Sequence, residues 1–326
     1  FLTQVVLRLF LCSKPSGLLV STSPPTMGLV AWLARRLRGV PVTYWLMDLN
    51  PDQAVELGVY GPGHPFVRVF DWMNRRILGA ADATIVLDRF MAERVKRKLG
   101  GDTGDSSSKR LKVIPPWSPA GLRAPTDADR AANAFRREQG WEGKTVFMYS
   151  GNHSWVHPLD TLLEAARRLA HREDCIFAFV GGGKGKEAVR EFIQRERPAY
   201  VVDLPYQPLE RIQESLGAAD VHMVAMGEAM VGCVHPCKIY GALTLGAPVL
   251  ALGPEASHVG EIVRDAKVGE VVAHGDVDGA VNAIERLAAL GPEERAALRD
   301  RALAYQRTHF DRETLVAQVC AAVASA

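Results

Sequence analysis

Lys238 stands where a reaction can be written around it. It lies in the run Gly232-Cys233-Val234-His235-Pro236-Cys237-Lys238-Ile239-Tyr240-Gly241-Ala242-Leu243-Thr244-Leu245-Gly246-Ala247-Pro248. A Pro-x-Lys step opens a helix-length stretch, and a Gly-x-Pro step closes it. A helix start presents unpaired N–H groups and partial positive charge, which together favour an anion. A lysine in that first turn opposes the helix dipole, so a bound dianion explains it better than helix stability does. His235, Cys237, Lys238 and Ile239 are therefore candidate contacts of a nucleotide diphosphate. Cys233, His235 and Cys237 also alternate like metal ligands. A fourth ligand at usual spacing is missing, so no metal site is assigned.

Other chemistry-bearing groups sit at strand ends. Asp48 follows the apolar run Val42–Met47. A carboxylate there can orient a hydroxyl or take its proton, or simply cap the loop. Gly181-Gly182-Gly183-Lys184-Gly185-Lys186 follows another apolar run. It is not a P-loop, because no Gly-Lys-Ser/Thr follows at the required spacing. Lys184 and Lys186 can reach a ligand or remain solvated.

The elements that must position these groups alternate in type. Strands are expected at Gly17–Thr22, Val42–Met47, Ala83–Leu87, Leu111–Ile114, Thr145–Tyr149, Ile176–Val180, Tyr200–Leu204, Val221–Val224, Val249–Leu252 and Glu270–Ala273. Helices fall between them: Pro25–Arg38 with Ser23 as cap, Pro65–Leu78, Arg89–Leu99, Asp127–Gln139, Pro158–His171, Lys186–Glu196, Leu209–Leu216, Pro236–Leu245 and Val259–Asp265. Further helices run through Gln306, and Arg312–Val323 is amphipathic. Residues 1–12 read as a helix packed on a sheet. A polar loop spans Gly100 to Ser108. Such alternation signals βαβ units and parallel sheets with helices on both faces.

The expected fold is α/β, with two Rossmann-like domains. Residues 1–118 form the first, 119–144 a linker and 145–306 the second. Helix 307–326 packs back on the first. Four strands before the Pro-rich stretch Pro115–Pro119 are fewer than the five or six of a complete half. The chain begins with Phe1. The expectation is that a first strand and glycine-rich turn precede it.

At 326 residues, 48% apolar and 23% charged, the chain suits a folded two-domain protein. A net charge of +2 gives no global pull toward nucleic acid. Basic residues do crowd the first third, including Arg35, Arg36, Arg38, Arg68, Arg75, Arg76 and the stretch from Arg94 to Lys112. Solvated helix faces explain them, as does attraction to an anionic membrane or a phosphorylated acceptor. Five scattered cysteines point to a reducing compartment, hence the cytoplasm. No apolar run reaches the ~18 residues of a bilayer span. Helix Pro65–Leu78 mixes Phe66, Phe70 and Trp72 with Arg68, Arg75 and Arg76, which suits the inner face of a membrane.

The runs Tyr149–Leu163 and Gly232–Pro248 carry a family resemblance that extends over nearly the whole chain. The sequence resembles the retaining family-4, group 1 glycosyltransferases of the GT-B fold, whose two domains face a cleft and close over the donor. The resemblance implies that Gly151, Asn152 and His157 contact the donor diphosphate. Asn152 stands where relatives carry Arg, and His157 comes closest to their later Lys; both could instead cap a helix. It implies that Gly182, Tyr206 and Gln207 border the nucleotide, the last two mostly through backbone. Glu261 would accept ribose hydroxyls or remain solvated. Trp45–Asp52 resembles the family's Asp-Leu-x-Pro-Asp/Glu loop, which implies an acceptor-side role for Asp48. The family's Glu-x7-Glu acids are replaced in register by Cys233 and Gly241. The implied activity is metal-independent, cofactor-free transfer from a nucleotide diphosphate sugar to a glycan or lipid-linked acceptor. Lys238 would stabilise the departing diphosphate. A non-catalytic sugar-nucleotide scaffold and a sugar-nucleotide epimerase are the alternatives.

Overall fold

The computed structural model describes residues 2–100 and 110–326. The polar loop read after Gly100, and Lys109 with it, lies outside the described residues. The chain divides into two compact units. The first takes the chain up to Pro116, then Ala229–His235 and Arg312–Ala326; the second takes Trp117–Glu228 and Pro236–Asp311.

The first unit is built on a parallel sheet in the order β1-β2-β3-β4, namely Leu18–Ser21, Val42–Trp45, Ala83–Val86 and Leu111–Val113. Val20, Val42, Tyr44, Leu46 and Val86 bury against Ala31, Met73, Ile77, Met91 and Val95 of the helices between the strands. The helix read from Pro25 starts at Met27, and Thr26 rather than Ser23 is its N-terminal cap residue, without a side-chain bond. Pro25, two residues after Ser23, has no N–H to give a Ser23 cap. Helix Pro65–Ala80 does have its cap, with His64 Nδ1 accepting from Phe66 N at 3.2 Å. The first helix, Leu2–Leu11, has no fully buried residue. It rests against helix Met27–Arg38 rather than on the sheet, and Arg38 donates to the Leu9 carbonyl. Helix Arg312–Ala324 packs on β2 and β3.

The second unit holds six parallel strands in the order β10-β9-β8-β5-β6-β7. They span Thr145–Asn152 (β5), Cys175–Gly182 (β6), Val201–Leu204 (β7), Val221–Ala225 (β8), Val249–Leu252 (β9) and Gly269–Val272 (β10). The chain starts in the middle and winds outward to both sides, so the winding reverses between β5 and β8. Ligand crevices form at such a point, beyond the carboxyl ends of the strands. Phe147, Tyr149, Phe177 and Phe179 bury on one face; Val146, Met148, Ile176, Ala178 and Val180 bury on the other. Each fully buried ring contributes roughly 1.5–3 kcal/mol, and the two-sided burial suits a sheet covered by helices on both faces. Residues 119–144 belong to this unit, with Phe135 and Trp141 packed on Val146 and Ala178. The single helix read there is two, Asp127–Ala131 and Ala134–Gln139. Asn133 divides them, its Oδ1 accepting from Arg136 N at 2.9 Å to start the second.

β5 and β6 run further than their apolar patterns suggest. Their ladder continues from Thr145–Cys175 through Gly151–Gly181 to Asn152–Gly182. Gly151 and Gly181 both have φ of +124°, and a Cβ on Gly181 would lie 2.0 Å from the Gly151 carbonyl oxygen. Lys186 secures this extension. Its side chain is 1% exposed, ion-paired with Asp203, and donates to the carbonyls of Leu204 and, at 2.6 Å, of Gly181. Lys186 is therefore an internal tie between β6 and β7, not a solvated turn residue or a ligand contact. Removing one partner of a buried pair leaves the other charge stranded. Asp203 is 24% exposed, which moderates that cost. Lys186→Met should lower the unfolding free energy by about 2–4 kcal/mol in urea titration. An unchanged urea midpoint would show that the tie is dispensable.

Candidate active site

In the second unit β5 and β8 are registered only at Phe147–Val221 and Met148–His222. Beyond Met148 the two strands no longer pair. Near their carboxyl ends lies a cavity of about 180 Å³ lined by Ser150, Gly151, Met223, Lys238 and Gly241, among others. The helix read from Pro236 is Lys238–Thr244, with Cys237 as its N-terminal cap residue and no side-chain cap bond. Lys238 is thus its first residue. Its Nζ donates to the Asn152 carbonyl at 3.1 Å and lies 4.7 Å from the Tyr149 ring centroid. Its Cε would stand 3.1 Å from a Cβ on Gly151, so glycine there lets the lysine lie across the strand end.

No carboxylate pairs with Lys238 among the described residues. Burial lowers its pKa from 10.5 to about 8, with slight opposition from Cys237. A half-buried cation held by one carbonyl and one ring face is poised for an anion. Gly151, Asn152, Lys238 and Ile239 come together here, Ile239 being fully buried and Cys237 exposed.

His157 brings no charge to this place. Burial, followed by Lys238, pushes its pKa down to about 3, and its buried Nδ1 has no hydrogen-bond partner among the described residues. At the position nearest the relatives' lysine the chain therefore carries a neutral imidazole. The capping alternative fails too, because helix Asp160–Arg168 has no side-chain cap. His153, which the motif reading did not single out, is fully buried on Tyr149, with ring centroids 4.6 Å apart. Its Nδ1 faces the Gly151 carbonyl at 3.0 Å, and burial lowers its pKa to about 4.

At the ends of β6 and β7, the exposed Tyr206 ring lies over Gly182, where a Cβ would meet its Cε2 at 2.9 Å. The phenol donates weakly to the Gly182 carbonyl at 3.4 Å. Gln207 turns back, its Nε2 donating to the Pro205 carbonyl at 3.0 Å. Glu261 sits in the first turn of helix His258–Ala266, which Ser257 caps. Lys184 lies 5.2 Å from the Trp155 ring centroid.

The first unit gathers a separate set. Asp48 lies beyond β2 and Asp88 beyond β3, at carboxyl ends of adjacent strands. His235 joins them, its Nδ1 2.7 Å from Asp88 Oδ2, both side chains buried. The other oxygen of Asp88 caps helix Arg89–Lys98, accepting from Met91 N at 2.8 Å. The return segment Ala229–His235 is pinned by Arg94, whose Nε donates to Val231 O at 2.7 Å and Nη2 to Ala229 O at 3.0 Å. Leu49 N donates to Cys233 O at 2.8 Å. The structure therefore places His235 with Asp88 and near Asp48, in a different unit from Cys237, Lys238 and Ile239. Cys233 is buried, which raises its thiol pKa to about 12.

Sequence comparison adds the lineage. Residues 3–117 match the glycosyl transferase 4-like domain and residues 144–289 the glycosyl transferases group 1 domain. The chain belongs to the group 1 glycosyltransferases with a family-4-like first domain. It is 25% identical over 251 residues to WbjE of Pseudomonas aeruginosa, described as a probable glycosyltransferase. That alignment covers 77% of this chain and 60% of WbjE, so the chain spans under two thirds of that relative. It is also 25% identical over 289 residues to Escherichia coli K12 WcaI, named for colanic acid biosynthesis, covering 88% of this chain and 68% of WcaI. HepE of Anabaena, solved with UDP-glucose, shares the GT-B fold at a TM-score of 0.72 and 18% identity, over 94% of this chain and 79% of that one.

Burial raises the Asp48 carboxyl pKa, partly offset by His235. The folded state then holds its proton more tightly than the unfolded state. This destabilising contribution grows as pH rises from the ordinary carboxylate range, about 4, through the raised value. Asp48→Asn should therefore melt at or above the wild-type temperature at pH 7.5, with the difference shrinking at pH 4.5. A variant that melts lower at pH 7.5 would show that the carboxylate is a structural anchor.

Proposed function

We propose that this protein transfers a sugar from a nucleotide diphosphate sugar to a glycan or lipid-linked acceptor, with retention of configuration and without a metal ion. The observation that carries the reading is Lys238, an ammonium group with no carboxylate partner among the described residues, drawn over the end of β5 where the winding of the second sheet reverses. The family, the relatives' names and the UDP-glucose held by HepE support the same reading.

In this mechanism the bond between the sugar's anomeric carbon and the β-phosphate oxygen lengthens, and negative charge grows on the diphosphate. Lys238 and the N–H groups around Cys237–Ile239 stabilise that charge, with Gly151 allowing close approach. His157 and Asn152 add neutral polar contacts. The exposed Tyr206 ring offers a stacking surface for the base beside Gly182. On the acceptor side, Asp48 orients the attacking hydroxyl, and the proton passes to a departing phosphate oxygen. The new bond forms on the face that the diphosphate leaves, so configuration is retained. The hydrogen-bonded pair of Asp88 and His235 stiffens the surroundings of Asp48.

Loss of this single charged donor should cost about 2.7–4 kcal/mol of transition-state stabilisation, as for one oxyanion donor. Lys238→Ala should then turn over roughly a hundred- to a thousandfold more slowly, with a normal melting temperature. Wild-type turnover should survive EDTA. UDP affinity should fall as pH rises through about 8, because the bound diphosphate favours the protonated lysine. Stability without ligand should move the other way, rising above pH 8, because the unfolded chain holds that proton more tightly. Calorimetric titration between pH 7 and 9.5 reads the binding trend. Near-normal turnover in Lys238→Ala would place the diphosphate on another helix.

The lipid-linked alternative among acceptors draws support from helix Pro65–Ala80. Phe66, Val69 and Trp72 are exposed on it, with exposed Arg68 and Arg76, the latter 5.5 Å from the Trp72 ring. No helix among the described residues is long and apolar enough to cross a membrane. An apolar and basic strip of this kind suits the surface of an anionic bilayer. Arg75 is engaged by Asp71 and the Lys98 carbonyl, so the test leaves it in place. Binding to vesicles containing phosphatidylserine should be salt-sensitive and lost on Trp72→Ser with Arg68→Glu and Arg76→Glu. Equal binding to neutral vesicles, or none to either, would remove the membrane from the proposal.

A further inference from the structure

The edge of the second sheet opposite Lys238 carries a pocket that the transfer reaction does not use. It is a cavity of about 420 Å³ whose walls include Asp220, just before β8, and Pro248, just before β9. These are the amino ends of parallel strands, whereas Gly151 and Asn152 lie at a carboxyl end. Three arginines line it: Arg130 from helix Asp127–Ala131, and Arg295 and Arg299 from helix Pro292–His309.

Their bonding is unequal. Arg295 donates to the carbonyls of Leu290 at 3.0 Å, Ala288 at 3.2 Å and Leu287 at 3.4 Å, all uncharged. Arg299 reaches Asp127 at 3.3 Å, a carboxylate that is 90% exposed. Asp220 is occupied elsewhere, its Oδ2 accepting from Arg136 Nη1 and Val146 N, each at 2.8 Å. Arg130 is half-buried, and its guanidinium has no hydrogen bond or ion pair among the described residues. Burial disfavours its charge most, and Arg299 and Arg295 add to that against Asp220 and Asp127. A planar fork of donors that lines a cavity and has no protein partner among the described residues matches phosphate oxygens in geometry and charge. Pro248, Leu290, Pro292 and Ala296 supply an apolar wall, and the volume exceeds that of a bare phosphate.

We propose that this pocket is a second ligand site, binding a small phosphate-bearing anion through Arg130, Arg295 and Arg299, apart from the nucleotide diphosphate.

The test uses the full chain carrying Lys238→Ala, so that the diphosphate site contributes little, in a low-salt buffer free of phosphate. Inorganic phosphate and glucose 6-phosphate are titrated separately by calorimetry. Both should bind, and adding Arg130→Gln should weaken each at least roughly tenfold, the loss expected for one charge-assisted contact. Because the Arg130 side chain makes no bond among the described residues, the variant should keep its melting temperature. Tighter binding of glucose 6-phosphate would assign the site to an organic phosphomonoester that uses the apolar wall; equal affinities would assign it to free phosphate. Absence of binding in the Lys238→Ala protein, or binding indifferent to Arg130→Gln, would overturn the proposal.

Discussion

The ammonium group of Lys186, shut away from water, is the interaction on which the second unit's carboxyl edge depends. It gathers the Gly181 carbonyl of β6 with Asp203 and the Leu204 carbonyl of β7. Gly181 in turn lies against Gly151 of β5, too closely for any side chain. Lys238 rests on that same Gly151. A buried charge that satisfies several acceptors at once therefore shapes a strand end where a second charge lies. The two lysines look alike in sequence and differ in environment. One has a carboxylate and is structural; the other has none among the described residues and is available.

Burial also sorts the histidines. His153 and His157 lie near Lys238, and desolvation keeps both neutral at physiological pH. Two imidazolium ions beside an ammonium would repel one another in a poorly hydrated crevice. The arrangement leaves Lys238 as the titrating cation and turns its neighbours into packing and polar groups. Asn152, in place of a charged residue, fits the same logic: its neutral side chain adds no further repulsion, while its main-chain carbonyl accepts from Lys238.

Much of this is legible in the amino-acid sequence. Apolar runs alternating with helix-length segments identify two parallel α/β halves, because strands covered on both faces need continuous apolar residues. The Pro-x-Lys step locates the cation, because a lysine in a first helical turn works against the dipole. What escaped depends on contacts between distant segments. Asp88 caps its own helix, but its second oxygen holds His235, and nothing local in the sequence shows that contact. Lys186 reads as a turn lysine because nothing local shows that Asp203 folds over it. Tyr206 and Gly182 meet only because β6 and β7 are neighbours. The apolar runs stop at Tyr149 and Val180, short of Gly151 and Gly181, because glycine usually ends a strand, whereas here it lets two backbones touch.

The short return of Ala229–His235 to the first unit has a consequence in time. The pairing of Asp88 with His235 closes a loop of 147 residues. Relative to a loop of about twenty, that adds only about 2 kcal/mol of closure entropy, so the native state tolerates it easily. Vectorial synthesis sees it differently. When the ribosome has finished β1 to β4, it has not yet made the segment that Arg94 and Leu49 will hold, nor the helix that covers β2 and β3. The first unit must wait for the far end of the chain, and the second is itself interrupted while it forms. During that wait the first sheet's apolar face lacks its covering helix, which makes this interval the stage at which chaperone binding would matter most.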